Sequence, residues 1–159
     1  MLGSAWLQQQ DIETDVDQAV SEVFGMMMGL ACEPMENQGS IEGETITAVV
    51  GLAGAISGAC VLRAETATAL ALAGYLVGSP IESMDDTVKD AIGEVCNMLA
   101  GAWKGKLPEI ASACMLSVPA VVTGTNYALH LQRPGFRLDR HYRCGDHAVS
   151  FSVICDHAV

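Results

Sequence analysis

The chain has 159 residues, half of them hydrophobic, with 19 acidic side chains against 8 lysines and arginines and a net charge of −11. This length supports one ordinary core, so residues 1–159 read as a single domain. The acidity argues against nucleic-acid and anionic-membrane partners, both of which need a cationic footprint.

Residues 1–10 read as a loose start with no charged, apolar and small-residue leader, which points to the cytoplasm. The six cysteines (32, 60, 96, 114, 144 and 155) include no CxxC pair. They are expected as reduced thiols, several of them small buried hydrophobes. A helix is predicted from about Glu13 to Leu30, with Val16, Val20, Val23, Phe24 and Met27 on its buried side and Met26–Met28 as core filling. Pro34 and Gly39 stop it in the loop Cys32–Ser40.

Residues 45–62 form an uncharged run near the length of a membrane span. Its glycines and small residues, and the alternation of Ile46, Ala48, Val50 and Leu52 and then Ile56, Gly58, Cys60 and Leu62, indicate two strands. The turn is expected at Gly51–Ala55. An alanine- and leucine-rich second helix, expected to be well covered, runs from about Glu65 to Val77, where Gly78-Ser79-Pro80 ends it.

A third helix covers about Ser83–Lys104. Beyond Pro108 the pattern predicts strands at Ser117–Thr125 and Tyr127–Gln132, then a turn at Pro134-Gly135. A hairpin of Phe136–Arg143 and His147–Cys155 follows, turning at Cys144-Gly145-Asp146.

The third helix carries the chemistry. Asp90, Glu94, Asn97 and Gly101 follow helical steps of four, three and four and share one face, while Val88, Ile92, Val95, Leu99 and Trp103 line the other. Gly93 and Gly101 each cost the helix up to about 1 kcal/mol relative to alanine, which suggests close approach of a partner backbone. Asp86 and Asp90 extend the polar stripe towards basic groups, and Lys104 could meet an acidic one. His141, Cys144, His147, Cys155 and His157 are zinc-type residues at spacings that fit no zinc knuckle, so no metal is expected.

An internal echo relates the first and third helices. Ala19 to Gly29 aligns with Ala91 to Gly101, matching Glu22 with Glu94 and Gly29 with Gly101, but placing Gly25 where the third helix has Asn97. Glu22 without an amide partner reads as a surface or structural residue.

The pattern D-x3-E-x2-N-x3-G, with its degenerate copy half a domain earlier, resembles the CheC/CheX/FliY family of chemotaxis phosphatases. One intact copy in a short chain is most similar to the CheX-like members. The resemblance implies an α/β (α+β) fold of two pseudo-symmetric halves packed side by side, with long helices on a mainly antiparallel sheet. It also implies hydrolysis of the aspartyl phosphate of a CheY-like receiver domain. Glu94 would pair with the receiver's lysine and Asn97 would orient the attacking water. Asp90, Gly93, Gly101 and Lys104 would contact the partner. The chain would need no cofactor of its own, Mg²⁺ being held by the receiver. A homodimer joined through sheet edges is implied, with the C-terminal hairpin as its contact region. The alternative is a non-catalytic interaction domain like those of the flagellar switch.

Overall fold

The computed structural model describes residues 9–36, 41–130 and 135–156. In chain order the elements are α1 (Gln9–Met28), β1 (Cys32–Pro34), β2 (Glu44–Gly54), β3 (Gly58–Glu65), α2 (Thr66–Val77) and α3 (Asp86–Lys104). A short α4 (Pro108–Ala111) precedes β4 (Cys114–Leu116), β5 (Ala120–Thr125), β6 (Phe136–Cys144) and β7 (His147–Cys155). The strands form one antiparallel sheet in the order β1-β6-β7-β3-β2-β4, with β5 also paired to β2.

Alternation explains why the sheet has a helix-facing side. Ile46, Ala48, Val50 and Leu52 of β2, Cys60, Leu62 and Ala64 of β3, and Val149, Phe151, Val153 and Cys155 of β7 are all buried in one cluster. Helices α1, α2 and α3 contribute most of the rest of that cluster and cover the sheet from one side. A second, small cluster of Ala59, Val61 and Ile154 lies on the other face. Among the described residues no helix is long and apolar enough to cross a membrane.

Two halves are recognisable, but they interleave and do not stand side by side. The units α1-β1-β2-β3 and α3-β4/β5-β6-β7 each supply a hairpin, and β3 pairs with β7 at the centre. The first strand of each unit then pairs with the other unit's hairpin: β1 with β6, and β4 and β5 with β2. Separating the halves would therefore break main-chain ladders as well as the core.

Several sequence expectations need correction. The β2–β3 turn lies beyond Gly54, not at Gly51–Ala55, because Leu52–Gly54 remain in the ladder with β4. The strand expected over Ser117–Thr125 is interrupted. Pro119 has no N–H to donate, and the Ser117 hydroxyl takes the Gly51 N–H at 2.7 Å. Residues 127–130 are not a strand, since Asn126 turns the chain at φ 53° and the Tyr127 hydroxyl is bonded to Thr47 at 2.6 Å. Residues 131–132 of that expected strand, and residues 1–8 of the expected loose start, lie outside the described residues.

Met28, four residues beyond Phe24, is the buried methionine of α1; Met26 is 81% exposed and Met27 39%. Helix α2 buries only Ala69, Leu72 and Ala73 and leaves Tyr75 and Val77 exposed, so it is covered on one face alone. The hairpin β6–β7 turns at Gly145 (φ 61°) as expected. Its β7 strand, however, is interior and offers no sheet edge.

The cysteines also divide differently. Register places Cys32 of β1 directly opposite Cys144 of β6, with Cα atoms 4.1 Å apart, and the two form a disulfide. Their separation of 112 residues hides this pair from sequence spacing. Cys60, Cys96, Cys114 and Cys155 are free and buried.

Candidate functional site

Helix α3 is built to be rigid. Asp85 caps its start by accepting the Val88 N–H at 3.0 Å, Asp86 sits in the first turn and Lys104 in the last, each sign matching the helix dipole. Val88, Ile92, Val95, Cys96, Leu99, Ala100 and Trp103 are buried, which includes all five residues predicted for that face. Cys96 Sγ lies within 3.5 Å of the Ala48 carbonyl and 3.6 Å of that of Cys60, seating the helix on β2 and β3. Burial pushes this thiol up to about 12, against the opposing backbone N–H groups of Leu62 and Val50.

On the outward face Asp90 and Glu94 are exposed and Asn97 is half-buried. One helical step of three brings the carboxylate of Glu94 and the carboxamide of Asn97 together, with Cβ atoms about 5–6 Å apart. Among the described residues none of the three has a hydrogen-bond or ion-pair partner within the chain. Their polar groups are left available.

The other candidates separate. Gly101 is half-buried beside Leu116, with room for a Cβ at 4.0 Å. Gly93 is buried, and a Cβ there would stand 3.3 Å from Pro119 Cβ and 3.4 Å from Val121 Cγ2. Its missing side chain admits β5 to the helix, not a partner backbone. Lys104 does not reach outward either: its Nζ donates to the Cys114 carbonyl at 2.5 Å.

The structure adds residues that the sequence reading assigned elsewhere. Between α1 and α3 runs an open groove of about 470 Å³, lined by Asn97, Met98, Gly101, Leu116, Met26 and Glu22, among others. Glu22 is paired with Lys106 at 2.8 Å. The signal for Met26 lay in the helix echo, which aligns it with Met98. The His/Cys residues near the C-terminus do not converge. Cys144 is bonded to Cys32, His147 packs edge-on against Tyr75, and His157 lies outside the described residues. Among the described residues no group of three or more His, Cys, Asp or Glu side chains could hold a metal.

Interleaved halves with long helices on one side of a mainly antiparallel sheet are the CheC-like fold. A CheC-like superfamily protein from Shewanella shares the fold with a TM-score of 0.77 at 19% identity, over 92% of this chain and 97% of that one. A chain of the CheX–CheY–BeF3–Mg²⁺ complex from Borrelia burgdorferi matches with a TM-score of 0.73 at 21% identity, over 91% and 97%. The family model "Chemotaxis phosphatase CheX" matches residues 46–139, more than half of the sequence and all of α3. The chain belongs to the CheX family. A relative named CheY-P phosphatase CheX, from Thermotoga maritima, is 30% identical over 81 residues. That alignment spans 50% of this chain and about half (52%) of the relative.

Proposed function

We propose that this protein is a phosphatase that hydrolyses the aspartyl phosphate of a CheY-like receiver domain. One observation carries the proposal: in a chain of the CheX family, Glu94 and Asn97 stand side by side on a capped helix with no partner of their own among the described residues. The chemistry asks little of the enzyme. An acyl phosphate already has a good leaving group, so positioning a water in line is the main contribution open to a partner.

A carboxamide suits that task because it accepts from water and donates to a phosphoryl oxygen, and brings no negative charge to the anion. In this reading Asn97 enters the receiver's site. Glu94 holds the complex through a charge-assisted hydrogen bond to the receiver's lysine, and Asp90 adds attraction at the rim. Gly101 and the exposed Met26 leave a clearing beside the amide for the partner's backbone and apolar groups. In this reading Mg²⁺ comes with the receiver; the Borrelia burgdorferi complex contains CheX, CheY, BeF3 and Mg²⁺. The chain needs no cofactor of its own.

We further propose a cytoplasmic homodimer. Strand β1 pairs only with Tyr142–Cys144 of β6, so among the described residues the outer edge from Phe136 to Arg140 is unpaired and free to receive a second copy's strand.

Phosphate release from a panel of phosphorylated receivers tests the reading. The wild type is expected to shorten the phosphoryl lifetime of at least one receiver, and Asn97→Ala is expected to abolish that effect while still binding. Stable binding without any rate effect would point to a non-catalytic interaction domain instead.

A further inference from the structure

The sheet face opposite the helices carries a row of polar side chains that the phosphatase reading does not use. Register aligns Thr47 of β2 with Arg63 of β3, Arg63 with Ser150 of β7, and Ser150 with His141 of β6. Neighbouring strands lie about 4.8 Å apart, so Arg63 and His141 stand roughly 10 Å apart at Cα with Ser150 between them. These side chains, the floor residues Val61 and Ile154, and Tyr127 above line a concavity of about 370 Å³. That volume is within the range of small-molecule sites.

The charges there are unequal. Asp139, the carboxylate of the concavity, is fully engaged: it accepts from Arg137 Nε at 2.8 Å and Nη2 at 3.2 Å, and from the Ser152 hydroxyl at 2.5 Å. Arg63 has no such partner. Among the described residues it forms no ion pair, its Nε is buried without a hydrogen bond, and its guanidinium lies 5.8 Å from the Tyr127 ring centroid. The Ser150 hydroxyl beside it is likewise uncommitted among the described residues. In a chain with 19 acidic and 8 basic side chains, a half-buried arginine with no ion-pair partner among the described residues is suited to receive an anion.

We propose that this concavity binds a small organic anion, a carboxylate or phosphate on a compact apolar body. Arg63 is the charge partner, Ser150 and His141 supply hydrogen bonds beside it, and Val61, Ile154 and the Tyr127 ring take the apolar part. The site lies across the sheet from Asn97 and stands whether or not the phosphatase reading holds.

Calorimetric titration of the full chain at fixed ionic strength, with citrate and inorganic phosphate as probes and chloride as the control, tests it. At least one probe is expected to bind saturably. Arg63→Gln should raise its apparent Kd about tenfold or more, the scale of a lost charged hydrogen bond, and Arg143→Gln, outside the concavity, should not. In the wild type, amide shifts on titration should centre on Arg63, Ser150 and His141, which keeps the test open if Arg63→Gln fails to fold. Absence of saturable binding, equal binding by a folded Arg63→Gln protein, or shifts centred elsewhere would overturn the proposal. So would a dimer that Arg63→Gln dissociates, which would assign the face to a second copy.

Discussion

Glu22 and Lys106 form an ion pair at 2.8 Å across the junction of α1 with the end of α3. Glu94, the counterpart of Glu22 in the second half, has no partner among the described residues. Two equivalent carboxylates on packed helices thus have different tasks: one ties the protein to itself and the other is left open. Gly25 in place of the amide completes the difference, so each chain offers one acid–amide pair.

From this asymmetry, Asn97→Ala should lower receiver dephosphorylation about a hundredfold, the scale of losing one positioning contact, with little change in receiver affinity. Glu94→Ala should chiefly weaken the complex. Glu22→Ala should do neither. Phosphate release and binding measured on the same preparations separate these effects, and equal losses from Glu22→Ala and Glu94→Ala would contradict the assignment.

Gly93 gives a contrasting expectation. Because its Cα faces Pro119 and Val121, Gly93→Leu should overpack the α3–β5 contact and lower stability by about 1–3 kcal/mol. Gly93→Ala should stay near neutral, since better helix propensity offsets mild crowding. Urea unfolding reads both. Gly93→Ala should also leave receiver affinity unchanged, which a partner-contacting glycine would not.

Asp17 joins α1 to β6. It accepts from Arg140 Nε at 3.0 Å and Nη2 at 2.7 Å, and from the buried Tyr142 hydroxyl at 2.5 Å. Asp17→Ala would strand that hydroxyl and leave the partly buried guanidinium without its ion pair, so a loss of about 2–3 kcal/mol is expected. Tyr142→Phe in the Asp17→Ala background should recover part of it. Additive losses would show that the three groups do not act together.

The Cys32–Cys144 bond predicts four titratable thiols in unreduced, denatured protein, where a fully reduced chain would show six. Closing a span of 112 residues constrains the unfolded chain, so the Cys32→Ser/Cys144→Ser protein should be about 2–5 kcal/mol less stable than the oxidised wild type. Reductant should bring the wild type close to the variant.

Alkaline pH supplies a further test. Burial pushes both Cys96 and Cys155 up to about 12, from an ordinary value near 9, with Asp156 adding to the shift of Cys155. A raised folded-state pKa favours folding fully below the unfolded pKa and loses that contribution as pH climbs towards the folded one. Stability should therefore fall between about pH 9 and 12, and Cys96→Ala should flatten the fall. Unfolding midpoints measured across that interval decide it; an identical slope in the variant would refute the assignment.

The legible parts of this chain were the local ones. The 3.6-residue stripe of α3 located its buried face and its polar face, alternation located β2, β3 and β7, and the Gly145 turn located β6 beside β7, because these signals lie within a few residues of one another. Tyr127 shows where that reading fails. It is expected as the start of a strand, yet Asn126 turns the chain and the Tyr127 hydroxyl is drawn to Thr47. Met26 failed for the opposite reason: an apolar residue on an otherwise well-read helix falls outside the buried stripe.

By itself, the sequence determined the three long helices, the strands β2, β3, β6 and β7, the pairing of Glu94 with Asn97 on one helical face and the echo between halves, since each follows from spacing along the chain. The short β1, inside the expected loop Cys32–Ser40, and α4 and β4 were not legible there. Only the tertiary structure decided that the halves exchange their first strands, that Cys32 meets Cys144, and that Gly93 and Lys104 face inward. It also left Arg63 without an ion-pair partner among the described residues. Those outcomes depend on which strands pair and how a helix sits above them, and distance along the chain carries no record of either.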